Sequence, residues 1–423
     1  MQFKIESFLN HNLPAGGTRV DVVFSLSADG AGPAQAARPH RVIGLLGDRS
    51  GSMAGPKMTA LKHALRVAID AMDEDTEFFV TAFDTRERNI VPLTRADAAG
   101  KRFAHGEVQR LEAGGGTAMS TALQAARSAF QQRPGAVCQA ILLTDGQNGP
   151  EDVWPLDQAL TACAGLFQAH CRGVGTDWSP KELRQIADRL LGTAQMVAQP
   201  DGMAEDFRAT MAAAMALGVA DVRLRLWMPK NARLTGFKQG YPTEIDLLGS
   251  LRPVDQRAVD LPLGAFGEGT QDYSASFTVV PLATGEQMLV CRPSIVTPDP
   301  ATRQDTAMPG ANVTVTWTDD ANLSARIGAQ VAHYSGQAEK ARAIQEGLEA
   351  MERRDDGTAT LRLGRALQLA QQSGDEETTR RLRQVVDVLD EAAGTVRLRR
   401  GAEKAAVMDL DVGSTRTVRV RRD

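Results

Sequence analysis

The sequence predicts a multi-domain chain of mixed class: a doubly wound, mostly parallel α/β sheet inserted in a β-sandwich, followed by a small helical bundle. Three observations carry this. Between residues 41 and 218, short and nearly continuous apolar runs alternate with amphipathic helical stretches, the pattern of a sheet covered on both faces by crossover helices. Over 219–320 the period changes to short alternating runs bounded by Gly and Pro, which is a sandwich signal. Over 321–394 Ala, Leu, Gln and Arg dominate and no proline interrupts. At 423 residues the chain is too long for one core.

Residues 1–40 read as two strands, 2–8 and 18–27, with Val20, Val22, Phe24 and Leu26 alternating in the second. The Leu13-Pro14-Ala15-Gly16-Gly17 stretch between them suits a hairpin turn. A lone hairpin is marginal in water, so these strands are expected to join the later sandwich. From Arg41 the expected order is the buried strand 42–46, then a helix opening at Pro56 with Met58, Leu61, Leu65, Ala68, Ile69 and Met72 on one face. Strand 78–83, an antiparallel edge strand 89–93 and a helix 96–111 follow. Next come a helix 118–131 with Ala122, Leu123, Ala126 and Phe130 inward, strand 137–144, helix 156–167 and strand 168–174. Ser179-Pro180 starts another helix, 195–198 is the last strand, and Asp201 is expected to cap a closing helix through Leu217.

Runs 221–227, 243–248, 274–280, 286–294 and 312–317 supply the sandwich, with Val222, Leu224, Leu226 and Val313, Val315, Trp317 alternating most cleanly. Helices are expected over 330–353, 357–373 and 375–393. One inward stripe carries Ile344, Leu348 and Met351, and the next Leu363, Ala366, Leu367 and Ala370. Residues 395–423 read as a basic C-terminal tail.

Bulk properties narrow the function classes. The net charge of −4 offers no whole-chain attraction to nucleic acid or to an anionic membrane. No apolar run reaches the length of a bilayer span, and the first residues lack a basic, then apolar, leader pattern. Cys138, Cys163, Cys171 and Cys291 show no CxxC spacing and are expected to be reduced and buried. A cytoplasmic location is expected.

The chemistry lies at strand ends. Run 42–46 stops at Asp48-Arg49-Ser50-Gly51-Ser52, which gathers three oxygen side chains on one tight turn. A hairpin would use Asn-Gly or Asp-Gly alone, whereas hard cations want oxygens in octahedral array. Two further loops offer matching donors: Gly114-Gly115-Gly116-Thr117, and Thr144-Asp145-Gly146 at the end of strand 137–144. In doubly wound sheets ligands bind beyond the carboxyl ends of the strands, where Asp48 and Asp145 both fall.

These residues resemble the metal-ion-dependent adhesion site of the von Willebrand factor A (VWA) family, whose pattern is Asp-x-Ser-x-Ser, a Thr in a Gly-rich loop and an Asp after a later strand. Asp48, Ser50, Ser52, Thr117 and Asp145 match it in order. The resemblance covers residues 41–217 and makes the doubly wound sheet a Rossmann-like VWA sheet. Beyond that, the chain is similar to bacterial cytoplasmic VWA proteins. The resemblance implies Mg²⁺, with Mn²⁺ or Ca²⁺ as alternatives, held directly by Ser50, Ser52 and Thr117, while Asp48 and Asp145 act largely through water. It also implies a partner protein whose Glu or Asp completes the coordination. Gly47 is unusual for its place, where an apolar residue is common.

Enzymatic alternatives find little footing. A haloacid-dehalogenase-type phosphotransfer site needs a second Asp where Ser50 stands, and no Gly-Lys-Ser/Thr follows Gly116. His63, on the first helix, and His170, in an apolar strand, read as structural. The expectation is a non-catalytic scaffold, implied by the resemblance to act beside bacterial Ser/Thr kinases, phosphatases or tellurium-resistance-type stress proteins. The alternative is a regulatory subunit of a MoxR-type AAA ATPase or chelatase-like complex. In the tail, Thr415 and Thr417 among arginines suit a basophilic kinase and a forkhead-associated-domain protein, while Val418 and Val420 suit strand addition.

Overall fold

The computed structural model describes residues 1–30, 39–299, 302, 304–326, 328–390 and 393–419. The chain divides into two compact units. One comprises Gln35–Asp221 with Gly264–Gly267, and the other Met1–Ala34, Val222–Leu263 and Glu268–Asp423.

The first unit is built on a six-stranded sheet in the order Glu87–Arg95, Glu77–Phe83, Arg41–Asp48, Val137–Thr144, Gln168–Val174, Ala194–Val197. All neighbours run parallel except the first pair, so Glu87–Arg95 is the antiparallel edge. Every residue of the two central strands, Arg41–Asp48 and Val137–Thr144, is buried, as continuous apolar runs require. Helix Pro56–Asp70 buries Met58, Leu61, Leu65, Ala68 and Ile69, and helix Met119–Phe130 buries Ala122, Leu123, Ala126 and Phe130. One core joins Ile43, Leu45, Phe78, Ile141 and Leu143 of the sheet to Leu61 and Leu65 and to Phe207 of helix Met203–Met215. Gly47 has its reason here: a Cβ on it would lie 3.3 Å from Leu61 Cδ2, so glycine admits the helix against the strand end.

The cap at the closing helix is a correction. Asp201 sits inside a 3₁₀ turn, Pro200–Gly202, and Gly202 takes the cap position with no side-chain bond. Proline fixes the preceding turn and displaces the start of the helix by one residue. All four cysteines are free and buried, and burial pushes the thiols of Cys138 and Cys171 up to about 12.

The second unit carries two sheets. In one the order is Gln2–Leu9, Arg19–Asp29, Gly269–Val279, Ala232–Tyr241, Ile245–Asp246. In the other it is Arg252–Pro253, Ala258–Gly267, Leu217–Trp227, Gln287–Pro298, Val313–Thr318, Asn12–Pro14. The N-terminal strands therefore pair with strands more than two hundred residues away: Arg19–Asp29 with Gly269–Val279, and Asn12–Pro14 with Val313–Thr318. Strands Ala232–Tyr241 and Ala258–Gly267 were not expected; Pro262 and Gly264 inside the latter weaken its strand signal.

The helical part departs from expectation at its end. Helices Ala329–Glu352 and Asp356–Gln372 form as expected, but Glu376–Val385 stops early. Its continuation, Val386–Asp390, pairs as a hairpin with Thr395–Leu398, because Val386 and Val388 favour extended backbone. The segment read as a basic tail is folded as well. It supplies that second hairpin strand and helix Lys404–Gly413, and Val396 and Leu410 enter the same core as Ile344, Leu367 and Leu382.

Candidate metal centre

Strand pairing puts the site together. Gly47 pairs with Leu143 in parallel register, so the chain leaves the sheet at Asp48 and at Thr144 side by side. Asp48 and Asp145 are wholly buried, Ser50 and Thr117 are buried, and Ser52 is exposed. Asp48 accepts from Ser50 N at 2.7 Å through Oδ1 and from the Thr144 hydroxyl at 2.5 Å through Oδ2. These bonds fix the turn after the strand. Burial pushes the Asp48 carboxyl up to about 6, opposed by the Thr144 and Ser50 hydrogen bonds and assisted by the nearby Asp145 charge.

The hydroxyls converge. Ser50 Oγ lies 3.0 Å from Ser52 Oγ, and Ser52 Oγ donates to Asp145 Oδ1 at 2.6 Å. A Cβ on Gly146 would stand 3.4 Å from Thr117 Oγ1 and 3.7 Å from Ser52 Oγ, so these two hydroxyls face the same glycine. The structure thus brings Ser50, Ser52 and Asp145 into one hydrogen-bonded chain. Asp48 joins it through the Ser50 backbone, and Thr117 lies across Gly146.

Residues outside the five-residue motif hold the loops. Arg49, nearly buried, donates to Glu112 O at 2.8 Å and to Asp84 Oδ2 at 2.7 Å. The Gly-rich loop is tied down by Gly51 N to Gly115 O at 3.0 Å and Gly114 N to Arg49 O at 2.6 Å. Gly115 has φ +91°, and a Cβ there would meet Asp84 Cβ at 2.9 Å, so only glycine fits. On the far side Thr117 O accepts from Gly149 N at 2.8 Å, and Ser120 N donates to Asp152 Oδ2 at 2.9 Å. Lys57 pairs with Asp145 Oδ2. Thr144 and Lys57 both escaped the motif reading. Thr144 stands beside Asp145 in sequence, and Lys57 is marked as a cation in the first turn of a helix, an unfavourable end for it.

The donor set fits a hard divalent cation. Cis ligands of an octahedral ion with bonds of about 2.1 Å lie about 3.0 Å apart, the separation of the two serine oxygens. All candidate donors are oxygens. Among the described residues no three His, Cys, Asp or Glu side chains gather into a metal-binding group, at this edge or anywhere else.

Of the histidines, His170 is held between Thr193 Oγ1 at 3.0 Å and Gln139 Oε1 at 2.9 Å, and burial lowers its pKa to about 3. His63 is exposed. Thr415 and Thr417 belong to the other unit. Glu244 N donates to Thr415 O at 2.7 Å, Thr417 N to Pro242 O at 3.2 Å, and Thr417 Oγ1 to Gly240 O at 2.6 Å. The segment expected as a basic tail is therefore held against the chain's own backbone through Thr415 and Thr417, and Arg416 pairs with Glu377 at 3.0 Å. Val420 lies outside the described residues.

Fold and site together define a doubly wound α/β protein with a cluster of oxygen side chains at the carboxyl edge of its sheet. Residues 42–196 match the von Willebrand factor type A domain, and residues 368–414 the von Willebrand factor type A C-terminal domain. A von Willebrand factor type A protein from Catenulispora acidiphila is 41% identical, superposes with a TM-score of 0.93, and matches 99% of this chain and 97% of that one. The chain belongs to the von Willebrand factor type A family. The ArnB paralog VWA2 from Sulfolobus acidocaldarius shares the fold at 13% identity, with a TM-score of 0.62 and 98% of each chain covered. A Synechocystis protein is 29% identical over 206 residues, 47% of this chain and 48% of its own length, so the chain spans about half of that relative. Among the described residues no helix is long and apolar enough to cross a membrane.

Proposed function

We propose that this protein is a metal-dependent protein-interaction module, holding Mg²⁺ on Ser50, Ser52 and Thr117 and presenting it to a partner's acidic side chain. The observation that supports it most is the 3.0 Å spacing of the two serine hydroxyls beside a buried Asp145. When bound, the ion supplies a Lewis-acidic point of attachment for a carboxylate. Ser52 donates to Asp145, which keeps the carboxylate oriented and leaves the serine lone pairs for the cation. Asp48 fixes the turn and adds negative charge from behind. The burial of both aspartates strengthens their attraction for a cation, since little water screens them.

Exposed Val153 and Trp154, just after Asp152, give a partner an apolar foothold; Trp is a frequent anchor of such contacts. The two sheets of the other unit are read as a β-sandwich interrupted by the VWA unit, with the helices as further scaffold. Phosphorylation of Thr417 would first require release of its hydroxyl from Gly240 O.

Affinity purification with and without chelator, using wild type, Asp48→Ala and Thr117→Ala, tests the reading. Partners held only by wild type with Mg²⁺ support it; partners held equally by all three contradict it. Identification of the captured protein separates a kinase, phosphatase or stress system from an AAA ATPase complex.

A further inference from the structure

Lys57 stands where helix chemistry disfavours it. It is the second residue of helix Pro56–Asp70, at the positive end of the helix dipole, where carboxylates are stabilised and ammonium groups are not. A cation persists in such a place when a local partner outweighs the dipole. That partner is Asp145: the Lys57 ammonium bonds Oδ2 while Ser52 bonds Oδ1, so both oxygens of this fully buried carboxylate are engaged. Lys57 itself keeps about a quarter of its side chain in solvent, at 27% exposure. Arg49, the other cation of the site, is already matched by Asp84.

We propose that Lys57 is a tethered counter-cation that sets the charge of the ion site, restraining its affinity for the metal and raising that of the loaded site for a carboxylate. This rests on the metal-dependent reading above. Asp48 and Asp145 bring two negative charges and Lys57 one positive charge, so the site stands at −1 before the ion binds and at +1 after a divalent ion enters. A partner carboxylate then brings it to neutrality. Without Lys57 the same steps run from −2 to 0, and the partner would have to join a site with no net charge to attract it. A site of −2 would hold its ion more tightly and its partner more weakly. The ammonium also hydrogen-bonds the oxygen of Asp145 that Ser52 does not use, holding the carboxylate in place.

Lys57→Gln removes the charge at similar length, and Lys57→Arg keeps it. Isothermal titration with Mn²⁺ and, on the Mn²⁺-loaded proteins, water-proton relaxation during titration with acetate read the two halves of the proposal. The expected result is Mn²⁺ affinity about tenfold higher in Lys57→Gln and within about threefold of wild type in Lys57→Arg. Acetate should bind the loaded Lys57→Gln protein several-fold more weakly than loaded wild type. A merely structural lysine would weaken both, so opposite signs are diagnostic. Should Lys57→Gln be too unstable to titrate, its Mn²⁺-induced rise in melting temperature must still exceed that of wild type. Equal or weaker Mn²⁺ binding by Lys57→Gln, with wild type binding normally, overturns the role of Lys57 alone. No Mn²⁺ binding by wild type overturns the metal reading as well.

Discussion

Two lysine–aspartate pairs, a wholly buried one in one unit and a partly exposed one in the other, contrast a closed network of charges with an open one. Lys340 is wholly buried, and its ammonium meets Gln337 Oε1 at 2.6 Å, Asp375 Oδ2 and Arg416 O at 3.2 Å. Asp375 in turn accepts from Thr378 N at 2.9 Å and Thr378 Oγ1 at 2.8 Å while capping helix Glu376–Val385. Every donor there is spent inside the chain. Lys57 and Asp145 make the same bond, but beside them stand Ser52, exposed, and Ser50, whose hydroxyl lies 3.0 Å from that of Ser52. Oxygen lone pairs are left over at that edge. A closed network fixes a fold, and one with surplus acceptors at the surface is suited to receive a cation.

The largest effect is expected in the closed network. Lys340→Ala leaves Asp375 buried without its charge partner and is expected to cost about 3–5 kcal/mol in denaturant unfolding, with Mg²⁺ binding by the surviving folded protein unchanged. Loss of Mg²⁺ affinity in that variant would mean the two networks are coupled.

On the open side, Asp145→Asn should abolish stabilisation by the ion. Wild type should gain about 2.7 kcal/mol at an Mg²⁺ concentration one hundred times its Kd, and the variant none, as read by melting temperature with and without Mg²⁺.

The pH dependence sharpens the contrast further. Because burial raises the folded pKa of Asp48 from 3.8 to about 6, its contribution favours the metal-free fold below about pH 4 and is lost as pH rises through about 6. Ion binding needs the carboxylate and runs the other way, so Mg²⁺ affinity should climb from pH 5 to 7 while the melting temperature of the metal-free protein declines. An affinity flat across that window would contradict the burial of Asp48.

The smallest effect belongs to the C-terminal segment. Thr417→Val removes the bond to Gly240 O and should cost about 0.5–1.5 kcal/mol, with no change in Mg²⁺ affinity.

The same two regions show how far the sequence could be read. The meeting of the five motif residues at neighbouring strand ends was legible because apolar runs marked those ends. Lys57 and Thr144 were not, since their roles depend on which atoms of Asp145 and Asp48 remain to be satisfied, which is a matter of three-dimensional geometry. At the other end of the chain, arginines 416 and 419 lie in the stretch that reads as a basic tail. Their partners, Glu377 and Asp272, lie 39 and 147 positions earlier in the chain, so no local pattern could reveal the pairing. Helix Lys404–Gly413 was passed over for the same reason: Met408, Leu410 and Val412 are buried, but charged composition on either side hid their spacing.

The central claim is that the strand-end hydroxyls hold a divalent ion with a position left for another molecule's acid. Crystals soaked in Mn²⁺ and measured for anomalous scattering test it most directly. One peak is expected about 2.2 Å from Ser50 Oγ and Ser52 Oγ, with water or a foreign carboxylate among the ligands of the ion. No peak there, or a peak ringed entirely by this chain's own side chains, would contradict it.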